Sequence, residues 1–152
     1  MKKSGFTLLD MLLVITVLSL VLAVGLPRII RSGFLDQYRV YLAAHEVASA
    51  MRLARRLSVE STVAHRVYMP TDTNLTYEVQ RFEGPDAEDW VKVGDTKTLY
   101  SKIVLSRPDG ENVAFGSDGR ADCTCSYEFT LNAQVSRIDI TYSTGRAELF
   151  IE

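Results

Sequence analysis

Hydrophobic positions follow three different spacings along this chain. Residues 6–26 form a run of 21 positions that is almost wholly apolar, with a single ionisable side chain, Asp10. A run of that length crosses a bilayer as one helix. Beyond it, Phe34, Tyr38, Tyr41, Leu42, His45, Val47, Ala48, Met51, Leu53, Ala54 and Leu57 recur at three- and four-residue steps, while Asp36, Arg39, Glu46, Arg52, Arg55 and Arg56 fall on the opposite face. This periodicity predicts an amphipathic helix that continues the first one to about Leu57. Gly25 and Pro27 are the positions expected to loosen or kink it, because proline removes a backbone donor and crowds the preceding turn.

From there the period shortens to that of strands. Segments 62–69, 75–82, 98–106, 113–115, 126–131, 135–142 and 147–151 carry alternating or β-branched patterns. Neither face of 75–82 is cleanly apolar, which predicts an edge strand. Turn signals separate the segments: the acidic loop 84–89, Pro108-Asp109-Gly110, Ser117-Asp118-Gly119 and Ser143-Thr144-Gly145. The predicted class is α+β. One long N-terminal helix, transmembrane in its first half and amphipathic in its second, packs against a C-terminal antiparallel β-sheet domain. The boundaries are a basic leader at 1–5, a transmembrane segment at 6–26, an amphipathic continuation at 27–58 and a β-rich domain at 59–152. Trp90, after the acidic loop, is expected in the core.

Asp10 is the exception within the apolar run. A carboxylate at membrane depth is costly and marks a functional partner; the alternative is a helix-start residue at the headgroup level. Charge narrows the remaining functions. Seventeen Lys and Arg against nineteen Asp and Glu give a net −2, and without Lys2 and Lys3 the side-chain sum is −4. A broadly basic nucleic-acid surface is not supported. No Gly-rich phosphate loop, metal-spaced His and carboxylate cluster or Gly-x-Ser-x-Gly elbow is present, so no catalytic activity and no cofactor is assigned. Cys123 and Cys125 flank Thr124. In a strand their Cα atoms would be about 6.5 to 7 Å apart, too far for an unstrained bridge, so pairing requires a turn. A turn disulfide and two free thiols both remain open. A metal site would lack further ligands, since His45 and His65 are distant in sequence.

The junction Ser4-Gly5-Phe6-Thr7-Leu8-Leu9-Asp10-Met11-Leu12-Leu13-Val14, preceded by Lys2 and Lys3, resembles the amino-terminal signature of type IV prepilins and type II secretion pseudopilins. The resemblance implies cleavage between Gly5 and Phe6 by a prepilin peptidase, N-methylation of Phe6, and retention of the apolar segment. An ordinary secretory signal would be cut after its apolar region. It also implies that Asp10, where the family carries Glu, pairs with the freed amine of a neighbouring subunit and sets the register of assembly. Later segments, Leu53-Ala54-Arg55, then Val113-Ala114-Phe115-Gly116-Ser117-Asp118-Gly119, then Ile140-Thr141-Tyr142-Ser143-Thr144-Gly145-Arg146, look like the H-type minor pseudopilins and the related FimT-like and FimU-like minor pilins. The implied function is a structural subunit at or near the tip of the type II secretion pseudopilus, assisting fibre assembly and export. The alternative is a minor pilin of a type IV pilus. The implied partners are the peptidase, other pilins or pseudopilins, an inner-membrane assembly platform and an exported substrate. The implied location is the inner membrane, single-pass, with the β domain periplasmic. One FimT-like branch binds DNA through a Gly-Arg-x-Arg element; here the second basic position is Glu148, in Gly145-Arg146-Ala147-Glu148, which argues against nucleic acid.

Overall fold

The computed structural model describes residues 7–31, 33–70, 75–84, 89–100, 102–107 and 112–151. The bond Gly5-Phe6, the turn at 108–110 and most of the acidic loop at 84–89 lie outside the described residues. The chain divides into two units, Met1–Leu35 and Asp36–Glu152.

The first unit contains α1 (Leu8–Arg31). Its side chains from Leu8 to Val24 are all exposed. The 18 residues Leu8–Gly25 qualify as a membrane span by length and composition, and at 1.5 Å per residue they cover about 27 Å. The two hydroxyls in this stretch are satisfied within the helix. Thr16 Oγ1 donates to the Leu13 carbonyl at 2.8 Å and Ser19 Oγ to the Ile15 carbonyl at 2.7 Å, as a hydrocarbon environment requires of polar groups. Helix α1 runs without interruption through Gly25 and Pro27. The helical run breaks later, where Gly33 adopts φ 72°, and α2 (Phe34–Ser61) then begins. The expected single helix is therefore two. A glycine in the left-handed region ends a helix cheaply, a stop that the apolar periodicity on either side of it concealed.

In the second unit, α2 buries Val40, Ala43, Ala44, Val47, Ala48, Ala50, Met51, Ala54 and Ser58. Five alanines on this face let the sheets approach the helix closely. The helix stops at Ser61, followed by Thr62 at φ 55°. Among the described residues eight strands follow: β1 (His65–Tyr68), β2 (Thr76–Phe82), β3 (Trp90–Thr98), β4 (Val104–Ser106), β5 (Ala114–Phe115), β6 (Cys125–Leu131), β7 (Gln134–Thr141) and β8 (Arg146–Ile151). They form two four-stranded sheets rather than one, ordered β3-β2-β1-β5 and β4-β6-β7-β8, with every pairing antiparallel. The core joins α2 to both: Val67, Tyr77, Val79 and Phe115 from one sheet and Tyr127, Phe129, Ile138 and Ile140 from the other. Hairpins fix the second sheet. Asn132, at φ 56°, turns β6 into β7, and residues 142–145 turn β7 into β8.

Two strand assignments differ from the sequence reading. β2 lies inside its sheet, between β3 and β1, and the edge is β3, for which the sequence reading had no strand. The segment 98–106 is not one strand: Thr98 ends β3 and Val104–Ser106 is β4, with Leu99 and Ile103, both buried, between them.

Candidate functional site

Asp10 forms a reciprocal cap at the start of α1. Thr7 N donates to Asp10 Oδ2 at 3.0 Å, Thr7 Oγ1 donates to the same oxygen at 2.7 Å, and Asp10 N donates back to Thr7 Oγ1 at 3.3 Å. This is the capping-box arrangement with aspartate in the third helical position. Among the described residues the hydrogen bonds to this carboxylate fall on Oδ2, which is thereby committed to the helix start.

The second site lies on α2, where three short segments far apart in sequence meet. Arg55 Nε donates to the Gly119 carbonyl at 3.0 Å. Gly119 has φ 75° and Gly145 φ 58°. A Cβ on Gly119 would sit 2.9 Å from Val59 Cγ2, and one on Gly145 would overlap the Gly119 carbonyl oxygen. The turn around 117–119 is closed by Gly116 N donating to the Arg120 carbonyl at 2.9 Å and by a Phe115–Ala121 bridge. The motif residues Arg55, Gly119 and Gly145 are thus one junction, tying two turns to the helix. Its role is architectural: each glycine is required where backbone approaches backbone or side chain.

Beside this junction a cleft of about 680 Å³ runs between α2 and β8, lined by Tyr41, His45, Arg52, Arg55 and residues 145–150. Arg52 Nη2 donates across it to the Ala147 carbonyl at 3.3 Å. Arg146 pairs with Glu148 at 2.9 Å on the strand surface.

Cys123 and Cys125 are joined by a disulfide with Cα atoms 5.6 Å apart, closer than two strand residues of the same face, because Cys123 precedes β6. Thr124, at the apex, accepts from Tyr142 N through Oγ1 at 3.2 Å. His65 is buried in β1, its Nδ1 bonded to the Val63 carbonyl at 2.8 Å. Among the described residues no group of three or more His, Cys, Asp or Glu converges on a point that could hold a metal ion. Trp90 is only half-buried. It lies on the solvent face of the first sheet, against Phe82 at 5.3 Å between ring centroids, with the Arg66 guanidinium 4.3 Å from its ring.

No family model matches the chain, and no curated protein matches it by sequence. Solved structures do match. The minor pseudopilin EpsH of the type 2 secretion system of Vibrio cholerae aligns with a TM-score of 0.58 at 13% identity, over 75% of this chain and 96% of that one. A second EpsH structure gives 0.57 at 11% identity, over 77% and 97%. The type IV minor pilin FimU of Pseudomonas aeruginosa gives 0.58 at 13% identity, over 78% and 92%. An N-terminal helix followed by an antiparallel β domain, matched over nearly the full length of those structures, gives this chain the fold of the minor pseudopilins and minor pilins.

Proposed function

We propose that the chain is a minor pseudopilin, a structural subunit of a short type II secretion fibre placed at or near its tip, where it assists assembly and export. The observation that carries this reading is a pilin-like β domain and a fully exposed apolar helix of membrane-spanning length in one chain, with an acidic residue three positions into that helix. A peptidase cut at Gly5-Phe6 would free the Phe6 amine and leave α1 in the bilayer as both anchor and assembly element. Asp10 would then meet the methylated amine of a neighbouring Phe6, its Oδ1 facing the partner while Oδ2 stays with Thr7. Neither charge would remain uncompensated in the lipid-embedded core. The Cys123–Cys125 disulfide fits an oxidising compartment and so a periplasmic β domain. The subunit acts by docking and has no chemical step of its own. The equal likeness to FimU supports a second reading, a minor pilin of a type IV pilus.

Amino-terminal and intact-mass analysis of the membrane-expressed chain, with and without a prepilin peptidase, tests the processing step. The expected product starts at methylated Phe6 and is lost in Gly5→Ala. A chain that stays full length in the presence of active peptidase would overturn the fibre-subunit reading. Secretion against twitching in deletion strains separates the two fibres.

A further inference from the structure

Among the described residues the two sheets have four edges, and three of them are poorly suited to further pairing. β3 is interrupted by a register shift opposite Tyr77 and Val79, with Gly94 at φ 82°, and it carries Lys92, Asp95 and Lys97. β4 has three residues and β5 two. Bulges, charges and shortness are the usual protections of an edge strand. β8 carries Arg146 and Glu148, but neither a bulge nor shortness protects it. Its six residues run in unbroken register along β7, and its exposed end carries Phe150 and Ile151.

The direction of its free groups follows from one contact. The Ala147 carbonyl is turned away from β7 and accepts from Arg52. Because the backbone of a paired strand alternates sides with a period of two, the N–H and C=O groups of Leu149 and Ile151 face the same way. Leu149 lines the cleft whose far wall is α2, and Ile151 follows beyond it on the same edge. Arg52 and Arg55, which both line the cleft, each spend one N–H on a backbone carbonyl and keep further guanidinium donors. With Arg146, three arginines stand against one carboxylate, Glu148.

We propose that β8 is a docking edge for an extended acidic segment of a partner protein, which adds as a fifth strand beside β8. Main-chain bonds to Leu149 and Ile151 supply the pairing, and carboxylates facing Arg52 and Arg55 select the partner. The arginines alone would suit a phosphate backbone, but an exposed ladder of amides and carbonyls is complementary only to another peptide strand. The proposal goes beyond the fibre-subunit reading and does not depend on it.

The test uses the full chain in lipid nanodiscs and four probes: a blocked peptide alternating valine and glutamate, its valine–lysine counterpart, the glutamate peptide with alternate backbone nitrogens methylated, and a single-stranded oligodeoxynucleotide. The glutamate peptide is expected to slow hydrogen exchange at the Leu149 and Ile151 amides. The lysine and methylated peptides should bind at least roughly tenfold more weakly, a difference of about 1.4 kcal/mol. Ile151→Pro, which removes an outward N–H at a strand end where proline is tolerated, should weaken the glutamate peptide likewise. Unchanged exchange at both amides, equal binding of the methylated peptide, or binding of the oligonucleotide alone would overturn the proposal. The methylated peptide gives this answer without any change to the protein.

Discussion

Arg55 donates its Nε hydrogen to the carbonyl of Gly119 at 3.0 Å, joining residues 64 positions apart in sequence. The bond holds only because Gly145 has no side chain, since a Cβ there would occupy the space of the Gly119 oxygen.

Gly145→Ala therefore combines backbone overlap with a left-handed φ, and is expected to cost about 3 kcal/mol. Gly94 provides the control. It also has positive φ, but a Cβ there meets nothing within 4 Å, so Gly94→Ala should cost only about 1 kcal/mol. Denaturant unfolding of the two variants measures the difference, and equal losses would show that the junction does not stabilise the fold.

The same junction shows what could be read from the residues alone. Leu53-Ala54-Arg55, Gly116-Ser117-Asp118-Gly119 and Ser143-Thr144-Gly145-Arg146 stand out through their resemblance to the H-type minor pseudopilins, and the fold brings Arg55, Gly119 and Gly145 to one place. Nothing in their order discloses that they touch, because the contact is a tertiary closure between a helix and two turns. The apolar run and the amphipathic pattern of α2 are legible because each side chain there has one environment. β2 is misread as an edge because its second face is neither apolar nor free: Glu78, Gln80 and Phe82 form a polar and aromatic layer with Arg66 and Trp90. β3 escapes notice because it is exposed along nearly its whole length and buries no alternating face. The break at Gly33 was signalled by Ser32-Gly33 but lay inside an otherwise continuous helical pattern.

Val113 N donates to the phenol oxygen of Tyr127 at 2.9 Å, both groups being buried. Tyr127→Phe keeps the ring and removes the acceptor. The orphaned amide should lower stability by about 1–3 kcal/mol, with faster exchange at the Val113 amide as the local signature. A loss of stability without that signature would place the cost elsewhere.

Arg66 donates through Nε to Gln80 Oε1 at 2.7 Å and lies over the rings of both Tyr68 and Trp90. Desolvation lowers its pKa from the ordinary arginine value, yet a guanidinium remains charged throughout the working range. Lysine cannot reproduce the planar stacking, so Arg66→Lys should cost about 1 kcal/mol. Trp90 is the single tryptophan, and its emission should shift to the red as the ring becomes more hydrated. An unchanged spectrum would mean that the cation is not what shields the indole.

Tyr77 couples the fold to alkaline pH. Its side chain is 4% exposed, and burial, with the nearby Glu46 carboxylate adding to it, raises its pKa above the ordinary tyrosine value. The native state therefore holds the phenolic proton more tightly than the unfolded chain, where the group titrates near about pH 10. Its contribution is fully present below that pH and is lost as pH rises towards the native pKa, because ionisation then favours the unfolded chain. Tyr77→Phe removes the proton and with it this dependence. Unfolding followed between about pH 8 and 11 should show wild type losing stability more steeply than the variant. Parallel curves would mean that Tyr77 ionises equally well in both states, and that the loss of stability at alkaline pH comes from another group.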